Sequence, residues 1–410
     1  MTQPSAPAVR PLPLAGITLV EFSHMVMGPT CGMILGDLGA EVIKVEPLAG
    51  DNTRRLIGSG AGFFRMFNRN KQSIALDLAT PKGREIAERL VATADVVSEN
   101  FKPGLMAKHG LDYPTLSEKY PRLVYVSHKG FLPGPYEHRT ALDEVVQMMA
   151  GLAYMTGPPG QPLRAGSSVN DIMGGMFGAI GVLAALRERD TTGRGQQVQS
   201  GLFENCVLLA GQHMQQFAVT GTPAPPMPGR NTRAWGIYDI FNAQDGQIFL
   251  AVVTDTQWPI FCNAFGFGEL ATDTRLDSNK KRVLARDWMI PELQRRLSAF
   301  PVAELQRRFE ANGLPVAPIV RPEQLFDDPH LIQSGGLAPL LTDTGEETQV
   351  PTLPITLGGR RLGPRRGLPK VGADTREVLT RLGYGEADIE ALAAGNVVGI
   401  AGAAIKPART

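Results

Sequence analysis

The sequence predicts an α/β fold, a doubly wound and mostly parallel sheet followed by a smaller α+β region. Three observations lead there. Short apolar strands alternate with helical stretches through the first 130 residues, the rhythm of βαβ units. The chain has 410 residues, more than one compact core usually organises, so two domains are expected. A stretch with four prolines, Thr220–Asn231 (TGTPAPPMPGRN), divides two textures as a linker does.

The elements follow in order. Leu19–Phe22 predicts a strand, and Gly28–Gly39 a helix with Pro29 suited to its first turn. EVIKVE (Glu41–Glu46) and SIALDL (Ser73–Leu78) are strands. Thr80-Pro81 opens a helix whose apolar stripe is Ile86, Leu90 and Val91, with Thr80 as its cap. DVVSEN (Asp95–Asn100) and Leu123–Ser127 are further strands. Beyond the linker, Tyr238–Phe241 and Ile248–Val253 flank Asp245-Gly246 and predict a hairpin. Helical stretches follow near Trp258–Phe265 and Val302–Ala311, then a loop-rich segment, and a last helix from Thr375 to about Leu382.

Composition narrows the function. Lys plus Arg total 41 and Asp plus Glu 40, so there is no charge-based reason to expect nucleic acid or an anionic membrane as partner. Cys31, Cys206 and Cys262 are far apart, with no CxxC pair. A reducing compartment, hence a cytoplasmic location, is expected. The first residues, MTQPSAPAVRPLPL, read as a flexible tail (1–14) without the apolar core of a signal peptide. The longest uncharged apolar run, Ile172–Leu186, is short for a bilayer. The six histidines form no HxH or HExxH, so no metal site is expected. No GxSxG elbow is present.

Four segments carry candidate chemistry. In SVNDIMGGMFGAIGVLAAL, Asp171 is the sole charge before Arg187, at the start of an apolar helix with Gly174, Gly175, Gly178 and Gly181. A helix start favours negative charge. Asp171 is therefore either a cap on a core helix or a reactive carboxylate. Gly28, Gly32 and Gly36 share one helical face; they serve close packing or present N–H groups to phosphate. The dinucleotide fingerprint GxGxxG is absent, although Glu46 ends the next strand where a ribose-binding acid would sit. ENFKPG (99–104) and HKGF (128–131) end strands, where ligands of doubly wound sheets gather, and Lys102 and Lys129 suit a phosphate or are plain solvated lysines. Arg139, in YEHRTALD, suits a phosphate or carboxylate, and Asp143 suits a helix cap; surface salt bridging is the default for both.

Taken in order, LAGITLVEF, GPTCGMILGDLGAEVIKVE, NRNKQSIALDL, ADVVSENFKPG, VNDIMGGMFGAIGVLAAL, TGRGQ, DGQIFLAV, GLPVAPI and PKVGADT resemble the class III CoA-transferases, the formyl-CoA transferase family, from Leu14 to Val398. The resemblance implies a large domain (15–222) completed by a C-terminal return (326–410), a small inserted domain (223–325), and two chains interlocked as a homodimer. It implies that Asp171 is the nucleophile, attacking an acyl-CoA to form a mixed anhydride and then an aspartyl-CoA thioester. CoA contacts carry over to Val26, Leu76, Asn100, Phe101, Lys102, Lys129, Arg139, Thr140 and Asp143, with Lys71 as a further candidate. N–H groups near the glycines are candidate oxyanion donors. No permanently bound cofactor is implied; acyl-CoA and a small carboxylate are the substrates.

Departures bear on the acid. Val26 stands where formyl-CoA transferases have Gln, Pro47 where they have Arg, and Arg233-Ala-Trp-Gly236 where they have a long glycine-rich loop. Leu142 stands where the related racemases have His. The texture is nearer to succinyl-CoA-using members that accept small dicarboxylates or analogues such as 3-sulfinopropionate, with Arg139, Arg164, Arg230 and Arg233 as candidates for the distal anion. An alpha-methylacyl-CoA racemase-like isomerase, an NAD-dependent oxidoreductase and a catalytically dead CoA-binding protein are the competing readings.

Overall fold

The computed structural model describes residues 10–227 and 234–402. Chain contacts divide it into two units. The larger takes the described residues within Met1–Ala153, Arg164–Met214 and Pro329–Thr410; the smaller takes those within Tyr154–Leu163 and Gln215–Asp328.

In the larger unit the chain runs β1 (Thr18–Phe22), α1 (Met27–Asp37), β2 (Glu41–Glu46), β3 (Lys71–Leu76), α2 (Pro81–Val91), β4 (Val96–Glu99), β5 (Val124–Lys129), α3 (Asp143–Met149), α4 (Val169–Thr192), β6 (Gln197–Gly201) and α5 (Leu202–Thr220), of which the residues from Gln215 on count with the smaller unit. The sheet order is β3-β2-β1-β4-β5-β6, all parallel, with a short strand Val398–Gly399 pairing antiparallel outside β3. The expected doubly wound sheet is therefore present. Its two halves wind outward from β1 and β4, so the switch point lies beyond their carboxyl ends, where such sheets bind ligands.

Both faces of the sheet are covered, which explains the unbroken apolar strands. Successive strand residues point to opposite sides. Val20, Ile43, Ile74 and Val97 pack with Ile86 and Leu90 of α2 on one face. Leu19, Val42, Val96 and Val124 pack with Cys31 and Leu35 of α1 and Val182 of α4 on the other. Helix α2 begins as its sequence implies: the Thr80 hydroxyl accepts the Gly83 N–H at 3.0 Å and Pro81 occupies the first turn.

Two stretches differ from expectation. The third strand starts at Lys71 rather than Ser73, because Lys71 reaches inward to Glu21 and belongs to the buried ladder. The segment after Pro318 is more ordered than a loop-rich return. It holds a hairpin, Leu337–Leu341 with Glu347–Pro351, and after the helix Thr375–Arg381 comes a second helix, Glu386–Ala394, before the closing strand. Gly383, at a positive φ of 85°, turns the chain between those helices.

The smaller unit contains the expected hairpin, β7 (Ile237–Asn242) with β8 (Gln247–Val252), extended by β9 (Val316–Pro318). Its helices include α6 (Gln257–Phe265) and α7 (Val302–Ala311). Ile237, Leu250, Phe261, Phe265, Leu305 and Phe309 form its core.

Candidate active site

Asp171 is the third residue of α4, after Ser168, Val169 and Asn170. The first turn of a helix leaves N–H groups without intrahelical partners. Ser168 does not cap them through its side chain. The carboxylate of Asp143 does: its Oδ2 accepts the N–H groups of Asn170 and Asp171 at 2.8 and 2.9 Å. Asp143 is 4% exposed, so the surface ion pair expected for it is replaced by a buried cap on a different helix. The same burial commits its side chain to that cap.

The residues after Asp171 explain how closely α4 lies on its neighbours. A Cβ on Gly175 would stand 2.5 Å from the Met27 carbonyl oxygen, and one on Gly178 2.5 Å from Cε1 of His128. One on Gly181 would meet Val198 at 2.4 Å. The glycines thus serve packing against α1, β5 and β6. α4 is the one helix among the described residues long and apolar enough to cross a bilayer, longer than the run Ile172–Leu186, and here it packs on that sheet. Because Gly174 and Gly175 rest on Met27, the start of α4 comes to the start of α1, just beyond the carboxyl end of β1.

The electrostatics at Asp171 are unusual for a carboxylate. Burial, then the charges of Asp143 and Glu144, raise its pKa from 3.8 to about 7. Glu144 faces Arg164 at 3.5 Å. Asp171 retains partial exposure. Here is a carboxylate with a raised affinity for a proton or an acyl group, held at its backbone and open at its side chain.

The loops of the switch point meet beside it. Asn100, after β4, donates to the His24 carbonyl oxygen at 2.7 Å and accepts the His24 N–H at 2.9 Å. Phe101 stacks on the His24 ring at 5.7 Å. Past the ends of β4 and β5 lies a cavity of about 210 Å³, lined among others by Glu99, Lys102, Tyr113 and Lys129. Lys129 is tied to Glu99 at 2.8 Å, and Lys102 lines the same cavity.

Other candidates are placed elsewhere. Val26 and Leu76 are 0% and 2% exposed, packed in the two cores, so neither offers a side chain to CoA. Lys71 is fully buried, bonded to Glu21 at 2.8 Å and to the Pro29 carbonyl at 3.0 Å. Burial lowers its pKa to about 8, and a buried, paired lysine is no phosphate ligand. Gly32 exists for that pair: a Cβ there would stand 1.8 Å from Glu21 Oε2. Glu46 is likewise enclosed, by Arg54 at 2.7 Å and Ser73 at 2.6 Å, which leaves no ribose acid. Arg139 is exposed and lies over Tyr136 at 4.1 Å, and Thr140 is exposed beside it. Arg230 and Arg233 lie outside the described residues. Sequence reasoning missed Glu144 and Gln147; the four-residue spacing of Asp143 and Gln147 on α3 was the available signal.

The chain is similar to known proteins over most of its length. A family model described as CoA-transferase family III matches residues 14–375. The chain is 35% identical to succinate–glutarate CoA-transferase of Agrobacterium fabrum over 90% of this chain and 96% of that protein. It is 31% identical to succinyl-CoA:glutarate CoA-transferase of Mus musculus over 94% and 90%, and 34% identical to acetyl-CoA:oxalate CoA-transferase of Acetobacter aceti over 81% and 89%. A crystal structure of a CAIB/BAIF family protein from Brucella suis superposes with a TM-score of 0.82 at 32% identity, covering 91% of this chain and all of that one.

Proposed function

The chain belongs to CoA-transferase family III and is a CoA-transferase, and from that premise we propose that it moves CoA from succinyl-CoA to a small dicarboxylate through covalent attachment to Asp171. The observation that carries the proposal is the partly exposed Asp171 carboxylate on a helix start whose amides Asp143 holds.

The steps balance without an external energy source. The Asp171 carboxylate attacks the thioester carbonyl; the C–S bond breaks, CoA leaves as thiolate and a mixed anhydride forms. The thiolate then attacks the aspartyl carbonyl, giving aspartyl-CoA thioester and free succinate. The acceptor carboxylate attacks that thioester, and the returning thiolate cleaves the new anhydride on the acceptor's side. Each tetrahedral intermediate carries an oxyanion that needs N–H donors. The glycines of α4 are taken up by packing, so donors are to be sought in the loop after β1, whose chain passes Met27.

Attack requires the ionised carboxylate. With a pKa near 7, adduct formation rises with pH through neutrality. A thioester carbonyl approaching a site with Asp143 and Glu144 nearby is favoured over another anion, so a dianionic acceptor needs a cation. Arg164, paired with Glu144 at 3.5 Å, and the exposed Arg139 are the candidates among the described residues. The relatives named for glutarate and oxalate support a dicarboxylate acceptor. Lys102 in the lining of the strand-end cavity suits a CoA phosphate. The absent racemase histidine, with Leu142 in its place, disfavours proton shuttling.

The chain is further proposed to act as an interlocked homodimer. Met176, Phe177, Ile180 and Leu183 of α4 and Leu208 of α5 are exposed, an apolar surface that a second copy would cover.

The test is exchange between succinyl-CoA and glutarate, followed by mass spectrometry of the CoA products. Wild-type protein should form glutaryl-CoA, and incubation with succinyl-CoA alone should leave a CoA adduct at Asp171. Asp171→Ala should lose at least about 1,000-fold in turnover. Near-normal exchange by that variant refutes the proposal.

A further inference from the structure

We propose that Gln147 is a positioning residue for the nucleophile, a neutral clamp between the segment preceding α4 and the carboxylate that holds the first turn of α4; this rests on the reading of Asp171 given above. Gln147 follows Asp143 by one turn of α3, so the two side chains share a face. It is 0% exposed. Its Nε2 donates to Oδ1 of Asp143, and its Oε1 accepts the Ala165 N–H at 2.8 Å. The other oxygen of Asp143 takes the amides of Asn170 and Asp171. One chain of hydrogen bonds therefore runs from Ala165 through Gln147 and Asp143 to the backbone of the nucleophile.

The clamp fixes a degree of freedom that Asp143 alone leaves open. A carboxylate turns easily about its last bond, whose rotamer wells are broad. With an amide donor on Oδ1 and two backbone donors on Oδ2, that rotation is set. Asp171 sits in the turn so held, and a displacement of about 1 Å at a reacting group costs on the order of 100-fold in rate.

The residue type also follows from the surroundings. Among the described residues, Asp143 and Glu144 on α3, Asp171 on α4, Arg164 ahead of α4 and the Cys206 thiol of α5 are charged and titratable groups facing this cluster. Three of them are carboxyls. The position needs one donor toward Asp143 and one acceptor toward Ala165, without another negative charge. Glutamine meets that requirement. A glutamate meets it while protonated, its O–H donating to Asp143 and its carbonyl accepting from Ala165. Once ionised it repels Asp143 and loses the donor.

The experiment compares Gln147→Met and Gln147→Glu with wild type, measuring kcat and KM for succinyl-CoA between pH 5.5 and 9, with hydrogen exchange of peptides spanning residues 164–175. Gln147→Met should lose about 10- to 100-fold in kcat at every pH, with KM within about twofold, and its amides near 165–171 should exchange faster. Gln147→Glu, expressed as a ratio to wild type, should stay within about threefold at pH 5.5 and fall by tenfold or more as pH rises. Wild-type kcat and unchanged exchange in Gln147→Met overturn the proposal, as does a pH-independent ratio for Gln147→Glu. If Gln147→Met does not fold, the Gln147→Glu profile decides alone. Asp171→Ala measured alongside separates the two readings. Turnover in that variant refutes the nucleophile and leaves the exchange result to judge the clamp. A dead Asp171→Ala with normal Gln147→Met refutes the clamp alone.

Discussion

Asp171 was legible as a lone charge before a glycine-bearing apolar run, and its environment was not. Burial raises its pKa to about 7, with the charges of Asp143 and Glu144 adding to it from 28 and 27 residues earlier in the chain, and no spacing rule joins a carboxylate to a helix start that far away. The same distance explains why Asp143 looked like a surface ion. The raised pKa has a consequence for stability. In the unfolded chain the carboxyl titrates near 4. Between that pH and about 7 the folded state holds a proton the unfolded state has lost, so stability attributed to this group is complete below pH 4 and falls as pH rises through 7. Asp171→Asn cannot ionise and escapes the penalty. Its melting temperature should match wild type near pH 4 and exceed it above pH 8, where the difference is about 2 kcal/mol once partial exposure is discounted. A melting difference that does not change with pH would contradict a raised pKa for this partly buried carboxyl in the folded state.

Among the elements, long periodic ones read well. The strand–helix rhythm up to β5, the Thr80 cap and the β7–β8 hairpin each follow from a local signal: apolar runs of strand length, a capping hydroxyl before proline, a turn pair between alternating stretches. The glycines of α4 read half-way. Their spacing announced a close approach, but not whether a ligand or a helix made it. The answer is packing, on β5 and β6 for Gly178 and Gly181 and on α1 for Gly175, with the Met27 carbonyl and Thr30 against it. A methyl group added at Gly175 meets backbone on one side and a buried threonine on the other, and neither yields as a flexible side-chain end would. Gly175→Ala should therefore cost about 1–3 kcal/mol despite alanine's better helix propensity, seen as a lower denaturant midpoint. Because Gly175 lies one turn beyond Asp171, turnover should fall as well. Gly211→Ala on α5, where nothing lies within 4 Å, is the control and should be neutral or gain up to about 1 kcal/mol. Equal midpoints for the two variants would remove the packing argument.

For the whole molecule, the decisive fact is that both ends of the chain build one sheet. The residues of the C-terminal segment hardly announce this: Val398–Gly399 is two residues long and has no periodicity to read, and the return was implied by family resemblance. The contacts are nonetheless extensive. Asp374 Oδ2 accepts the Ser73 N–H at 2.8 Å, Thr375 accepts the Ala75 N–H at 3.1 Å, and Val398 pairs with Leu76. These bonds close an edge of β3 that would otherwise stand open to pairing with other chains. Val378, Leu379, Ile389, Leu392 and Val398 are buried in the face made by β1–β4 and α2. At about 1.5–3 kcal/mol each, they contribute on the order of 10 kcal/mol as an upper estimate. That is comparable to the whole stability of a typical domain, about 5–15 kcal/mol. A chain ending at Pro369 should thus lose cooperative melting or become insoluble. One ending at Gly395 keeps both helices and forfeits the closing strand, and should fold with a lower midpoint. If the shorter chain melts cooperatively within about 2 °C of the full chain, a shift worth about 1–2 kcal/mol at this chain length and far below the contribution just given, then β1 to β6 and their helices suffice, and the C-terminal return is a lid on a finished domain rather than part of its core.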